Sequence, residues 1–118
     1  MTSETFSIRR DTADDGCAIL ALNGRLDARH AESVKDATKQ TVSTGVLQLI
    51  MDMGEVPFID SAGLSALVFG LKMARRAGGN VVLAGVSPQI LTVFSLTMLD
   101  KVFAIYANRQ AALDNWKP

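Results

Sequence analysis

Residues 46–84 read VLQLIMDMGEVPFIDSAGLSALVFGLKMARRAGGNVVLA, and the order of patterns inside this stretch decides the fold. It opens on Val46-Leu-Gln-Leu-Ile-Met51, a short and nearly continuous apolar run that ends at Asp52, the pattern of a central strand covered on both faces. A loop from Met53 to Asp60 follows. From about Ser61, the residues Leu64, Leu67, Val68, Leu71 and Arg75 recur at helical spacing, and Gly78-Gly79 closes the helix. Asn80-Val-Val-Leu-Ala84 then reads as a second buried strand. Two such strands joined by one amphipathic helix form a crossover unit with parallel strands.

Working outward, Phe6-Ser-Ile-Arg-Arg10 alternates apolar and polar residues, Asp14-Asp15-Gly16 is a turn signal, and Cys17-Ala-Ile-Leu-Ala-Leu22 is apolar, so two strands joined by a tight turn are expected. After Gly24, Asp27 is the expected N-cap of a helix from about Ala28 to Ser43, whose inward positions are Ala31, Val34, Ala37/Thr38 and Val42, and which Gly45 stops. On the other side, Ser87-Pro88 places a capping hydroxyl ahead of a proline at the first helical turn, and Ile90, Leu91, Phe94 and Met98 are expected to point inward. Val102-Phe-Ala-Ile-Tyr106 reads as the last strand, and Asn108 as the cap of a final helix carrying Ala112, Leu113 and Trp116. The order is β-β-α-β-α-β-α-β-α. The chain is therefore expected to be one α/β domain spanning residues 1–118 with a largely parallel sheet and an ordered core over about 6–116; the first five residues and Lys117-Pro118 look loose.

Composition narrows the function. With 48% hydrophobic and 20% charged residues the chain can build a core, and twelve basic residues balance twelve acidic ones, which leaves no net field to hold nucleic acid. The single cysteine, Cys17, sits among apolar neighbours and reads as a small buried hydrophobe, which suits a reducing cytoplasm. Met1 to Phe6 lacks the basic and apolar regions of a secretory signal, and the uncharged stretch Asn80–Leu99 is interrupted by Gly85, Ser87, Pro88 and Gln89, so no membrane insertion is expected.

Enzyme chemistry finds little to work with. The one histidine, His30, lies near Asp27 and Ser33, and Ser61 sits in Asp60-Ser-Ala-Gly63, which is not the Gly-x-Ser-x-Gly elbow of a hydrolase. Asp11, Asp14 and Asp15 lack calcium-loop spacing, and neither Gly78-Gly79 nor Gly85 belongs to a phosphate-binding loop, so neither metal nor cofactor is expected. Lys72, Arg75, Arg76 and Lys101 read as a solvated basic face.

What remains is Val56-Pro-Phe-Ile-Asp-Ser-Ala-Gly-Leu-Ser-Ala-Leu-Val68, an apolar loop that delivers a hydroxyl to a helix N-terminus. The unpaired N–H groups and dipole there tolerate an anion, so a phosphate on Ser61 is compatible with the helix. Phosphorylation would add about −1.5 to −2 charges next to Asp60 and repel a partner docked on the unmodified surface. A plain helix cap, with Gly63 allowing close packing, explains the same spacing.

Asp60-Ser-Ala-Gly-Leu64, with Val56-Pro-Phe-Ile59 before it and Gly78-Gly79-Asn-Val-Val-Leu83 and Val86-Ser-Pro88 after the helix, resembles the STAS domain of anti-sigma factor antagonists. Leu22-Asn-Gly-Arg-Leu-Asp27, Phe94 to Leu99 and Val102-Phe103 agree as well, so the resemblance extends from about Phe6 to Leu113. It implies a mixed sheet with one antiparallel strand and helices packed mainly on one face. It implies a bacterial partner-switching protein: unphosphorylated, it binds an anti-sigma factor that is also an ATP-dependent serine kinase, and it frees the sigma factor or another client. Ser61 is the implied acceptor, and a metal-dependent serine/threonine phosphatase restores the active form. ATP and metal belong to those partners. The implied contacts are Asp27, at the family's acidic position before the first helix, and Asp60, Ala62, Gly63 and Leu64. Ala62 stands where many relatives carry Ser or Thr, which leaves Ser61 as the acceptor of the motif, and Ser65 stands where Gly is common. The free protein is expected to be monomeric. Two other roles compete: a constitutive scaffold subunit of a lipid-transport ATPase, and a small hydrolase using Ser61 and His30.

Overall fold

In the computed structural model, residues 5–14 and 16–116 are described; Asp15 of the expected turn, the first four residues and Lys117-Pro118 lie outside them. The elements follow in the expected order: β1 (Ser7–Asp14), β2 (Cys17–Asn23), α1 (Ala31–Ser43), β3 (Gln48–Glu55), α2 (Ser61–Arg76), β4 (Asn80–Ala84), α3 (Pro88–Leu96), β5 (Ile105–Tyr106) and α4 (Arg109–Asp114), with a 3-10 turn at Leu99–Lys101 between α3 and β5. The sheet order is β1-β2-β3-β4-β5. β1 runs antiparallel to β2, and the other three pairs are parallel.

That monotonic order explains the layering. Right-handed crossovers that each step the same way across a sheet leave their helices on the same face. Accordingly Ala18, Leu20, Leu22, Leu49, Met51, Met53, Val81 and Leu83 pack against Val34 of α1, Leu67 and Leu71 of α2, and Phe94 of α3. The alternate strand residues Cys17, Ile19, Ile50, Val82 and Ala84 meet Ala112 of α4, with Tyr106, Leu113 and Trp116 around it. Both faces of β3 are thus covered, which is why its sequence is apolar without alternation. Against α1, α2 approaches closely at Gly70, where an added Cβ would stand 3.1 Å from Thr38 Cγ2.

Several boundaries differ from the sequence reading. β3 starts at Gln48 and runs on to Glu55, so the expected loop from Met53 shrinks to Val56–Asp60. Asp52 does not end the strand because its carboxylate is answered from both sides: Arg109 Nε donates to it at 2.7 Å and the Gly54 amide at 3.0 Å. α1 starts at Ala31 and its N-cap is His30, not Asp27, because the Asp27 carboxylate is engaged locally by the amide and guanidinium of Arg29. On α2, Ala74 is buried and Arg75 exposed, so the arginine leaves the inward face. On α3, only Ile90 and Phe94 are buried. Leu91 stays exposed, and Met98 lies beyond the helix in a left-handed conformation (φ 63°) with 58% of its surface exposed. The last strand is shortened to Ile105–Tyr106, since the amides of Val102 and Phe103 both donate to Leu99 O at 3.0 Å; Phe103 instead turns inward, edge-on to Phe94 at 6.0 Å.

Candidate functional site

The loops leaving β2 and β3 are zipped together at the C-terminal end of the sheet. Gly24 N donates to Glu55 O (3.0 Å), Leu26 N to Phe58 O (2.9 Å) and Asp60 N to Leu26 O (3.3 Å), and Leu26 pairs with Ile59 in an isolated parallel bridge. Leu26, Val56 and Ile59 are buried beneath. At the end of this zipper Asp60 takes an extended backbone and caps α2. Its Oδ1 accepts from Gly63 N (2.9 Å), while its Oδ2 accepts from Ala28 N (3.1 Å), so one carboxylate starts the helix and ties it to the neighbouring loop. Gly63 makes the approach feasible: a Cβ there would fall inside the van der Waals envelope of the Leu26 carbonyl oxygen and stand 2.8 Å from Ile59 Cγ1. Ser61, the first residue of α2, is exposed.

Asp27 is the electrostatic hub of the adjoining loop. Its carboxylate is 13% exposed and meets Arg29 Nη2 at 3.1 Å, His30 Nδ1 at 3.1 Å and Arg25 Nε at 3.8 Å. The hydrogen bond from the Arg29 guanidinium, above all, holds the Asp27 carboxyl below the usual range against the opposing effect of burial. His30 Nδ1 also lies 2.9 Å from Arg25 O, and because both contacts are acceptors Nδ1 carries the proton. The imidazole stacks on Phe6 at 4.6 Å. The Arg25 guanidinium sits over the Phe58 ring, 4.0 Å from its centroid.

Along α2, starting at Ser61, runs a shallow groove of about 520 Å³ lined by Ser61, Leu64, Ser65, Val68, Phe69, Lys72 and, from across, Leu99. Lys35 and Lys39 of α1 hold their ammonium groups 5.4 and 5.8 Å from the Phe69 ring centre, so the far end of the groove is basic. Exposed apolar residues Leu96 and Met98 come just before Leu99 in sequence. An apolar strip with a hydroxyl at one end suits the docking of a protein segment, and a phosphate on that hydroxyl would sit at its mouth.

Of the residues singled out in the sequence, Ser61 and Leu64 line the groove, and Asp60 holds the Ala28 amide of the loop that carries Asp27. Asp27 and Gly63 are buried, and Ala62 packs half-buried against the core. No hydrogen bond joins Ser61 to His30 or to another base among the described residues. Sequence reasoning missed Phe69, Lys72 and Leu99 as groove residues; Val68, expected on the inward face, packs half-buried against the core and lines the groove as well. The available signal was the apolar residues left over on α2 beyond the stripe needed for the core, and the apolar Leu96 and Met98 where α3 ends. No cluster of metal-ligating side chains occurs among the described residues, and no helix is long and apolar enough to cross a membrane.

Comparison with known proteins agrees with this geometry. The family model described as "STAS domain" matches residues 10–112. The anti-sigma-B factor antagonist of Listeria monocytogenes is 34% identical over 83 residues, which cover 70% of this chain and 72% of that protein. The crystal structure of an anti-sigma factor antagonist from Mycobacterium paratuberculosis superposes with a TM-score of 0.84 at 23% identity, covering 96% of this chain and 95% of that one. The Bacillus antagonist SpoIIAA, solved both unphosphorylated and phosphorylated, superposes with TM-scores of 0.71 and 0.72 at 18% and 19% identity, covering 92% of this chain and 96% and 97% of those chains. With the motif, the sheet order and these similarities in agreement, the chain belongs to the STAS domain family, as a member of the anti-sigma factor antagonists.

Proposed function

We propose that the protein is a phosphorylation-gated anti-sigma factor antagonist that acts in the bacterial cytoplasm as a monomer when free. In the unphosphorylated form, Ser61, Leu64 and the groove along α2 receive an anti-sigma factor that is itself a serine kinase, and its sigma factor or other client is released. The kinase then transfers the γ-phosphoryl group of ATP to Ser61 Oγ, with the hydroxyl proton passing to a base of the kinase and ADP leaving. The resulting charge beside Asp60 faces the docked partner and ejects it. A metal-dependent serine/threonine phosphatase hydrolyses the ester and resets the switch. Asp60 and Asp27 shape the contact surface, Asp60 by fixing the head of α2 and Asp27 by fixing the loop beside it.

The observation that carries this reading is the exposed Ser61 at the head of an apolar groove, on a helix already capped by Asp60. Because the cap is a different residue, modifying Ser61 leaves the fold in place. The test is a pull-down with wild type, Ser61→Ala and Ser61→Asp as parallel baits, followed by ATP and intact-mass measurement. Wild type and Ser61→Ala retain a kinase, Ser61→Asp does not, and ATP adds one phosphate only where Ser61 is present. Equal capture by all three without phosphate would make the domain a constitutive scaffold.

A further inference from the structure

We propose that the groove along α2 receives an acidic amphipathic helix of the partner, whose carboxylates are read by Lys35, Lys39 and Lys72 at the end away from Ser61. The inference rests on the reading of this groove as the partner's docking site and adds the chemistry of the segment that fills it.

Spacing on α2 gives the groove the shape of a helix seat. Ser61, Leu64, Val68 and Lys72 follow one another at i, i+3, i+7 and i+11, so they form a straight row along one side of the helix, about 16 Å long by the helical rise. Such a row accepts the ridge of a second helix, with Leu99 as the opposite wall. The lining residues belong to α2 and to the 3-10 turn, so no sheet edge is available there for an added strand.

Charge selects among amphipathic helices. The charged residues of α2 are Lys72, Arg75 and Arg76, all basic. From α1, Lys35 and Lys39 add two ammonium groups held 5.4 and 5.8 Å from the Phe69 ring centre. Among the described residues no carboxylate pairs with Lys35, Lys39 or Lys72. The carboxylates on the same elements, Glu32 and Asp36 of α1 and Asp100 next to Leu99, are exposed, and Asp100 has Lys101 beside it in sequence. Asp60, at the other end, is occupied in capping α2 and holding the Ala28 amide. The groove therefore combines an apolar floor with cations at one end that have no internal anion, and a partner's carboxylates complete it. A second copy of this chain is a poor occupant, since pairing this face with itself sets lysine against lysine. A phosphate on Ser61, at the mouth of the same groove, repels an acidic segment more than a neutral one, which gives the modification its leverage.

The experiment uses the full chain as bait for a display library built on a stable helical-hairpin scaffold, with leucine fixed at i, i+3, i+7 and i+11 of its exposed helix and the remaining surface positions randomised. Wild type should enrich Asp and Glu over Lys and Arg toward one end of the selected helix, and the Lys39→Glu/Lys72→Glu protein should enrich the reverse. In fluorescence anisotropy the helix selected on wild type should bind the reversed protein about tenfold or more weakly and Lys39→Gln/Lys72→Gln to an intermediate degree, and raising the salt should weaken its binding to wild type. Both lysines are exposed, so the variants should melt with wild type; if charge reversal impairs folding, the glutamine pair decides. Recovery of no helix, or of helices with the same charge composition on wild type and reversed protein, overturns the proposal. So does sedimentation of wild type, but not of the reversed protein, with vesicles of phosphatidylglycerol and phosphatidylcholine, which would assign the face to an anionic membrane. The selection needs neither kinase nor ATP, so a failed kinase pull-down leaves it readable, and a kinase captured equally by wild type and reversed protein refutes the charge recognition while leaving the Ser61 switch intact.

Discussion

Replacing Gly63 with alanine separates two forces that act in opposite directions on the same residue. Helix propensity favours the change: glycine to alanine inside a helix is worth about 0.5–1 kcal/mol. Packing opposes it, because the new Cβ would overlap the Leu26 carbonyl oxygen and stand 2.8 Å from Ile59 Cγ1 and 2.9 Å from Leu26 Cγ. The carbonyl cannot step aside cheaply. It accepts from Asp60 N, and its residue is anchored through Leu26 N to Phe58 O, so relief requires the first turn of α2 to move outward. Overpacking of this kind costs about 1–3 kcal/mol, and stretching the Asp60–Gly63 cap adds about 1 kcal/mol. The expected net destabilisation is about 2 kcal/mol, which for a domain of this size lowers the melting temperature by roughly 8 °C. Thermal and urea denaturation followed by circular dichroism, with wild type, Gly63→Ala and Gly70→Ala in parallel, measures it. Gly70→Ala is the internal comparison: its Cβ meets the buried Thr38 side chain at 3.1 Å where the Gly63 Cβ overlaps a backbone carbonyl, so it should cost less than Gly63→Ala. A Gly63→Ala protein as stable as wild type, or more so, would show that propensity outweighs the close approach and would refute the account of how α2 is seated.

Asp60→Ala removes both the helix cap and the tie to Ala28 and should cost about 1–2 kcal/mol in urea unfolding, whereas Ser61→Ala should cost less than about 0.5 kcal/mol, because Ser61 caps nothing. Asp11 is held down to about 2 by hydrogen bonds from Arg9 first and Arg109 second, so the stability it supplies is complete above its ordinary value of 3.8 and disappears as the pH falls through about 2. NMR titration should therefore find its carboxyl near that value in wild type and back toward the ordinary range in Arg9→Gln and Arg109→Gln. In the groove, Phe69→Ser should weaken binding of the anti-sigma factor by about tenfold or more in calorimetry while leaving the melting temperature nearly unchanged, since Phe69 is half-buried and contributes to the groove and not to the core.

The sequence by itself determined the order of the elements, the parallel crossover unit around residues 46–84 and the place of Ser61 at the start of α2, because periodicity, glycine stops and capping residues are local signals. It also determined that Cys17 is buried and that Asn108 and Ser87 cap their helices, as Asn108 Oδ1 accepting from Ala111 N and Ser87 Oγ accepting from Ile90 N bear out. Only the tertiary structure decided what spans many residues. Asp52 ended the apolar run in the sequence, yet β3 continues through it because Arg109, far along the chain, neutralises it. Asp27 read as a helix cap, yet its carboxylate gathers Arg25, Arg29 and His30 and leaves the cap to His30. Met98 and Leu91 read as core, yet only two positions of α3 reach the sheet, since the helix stops at Leu96 and Phe103 closes the remaining space. The groove beside Ser61 is the plainest instance: one wall comes from α2 and the other from Leu99, and which apolar residues are left uncovered depends on how two distant segments meet. Local patterns fix which elements form. Burial, charge pairing and open surface are properties of their contacts, and those exist only once the chain has packed.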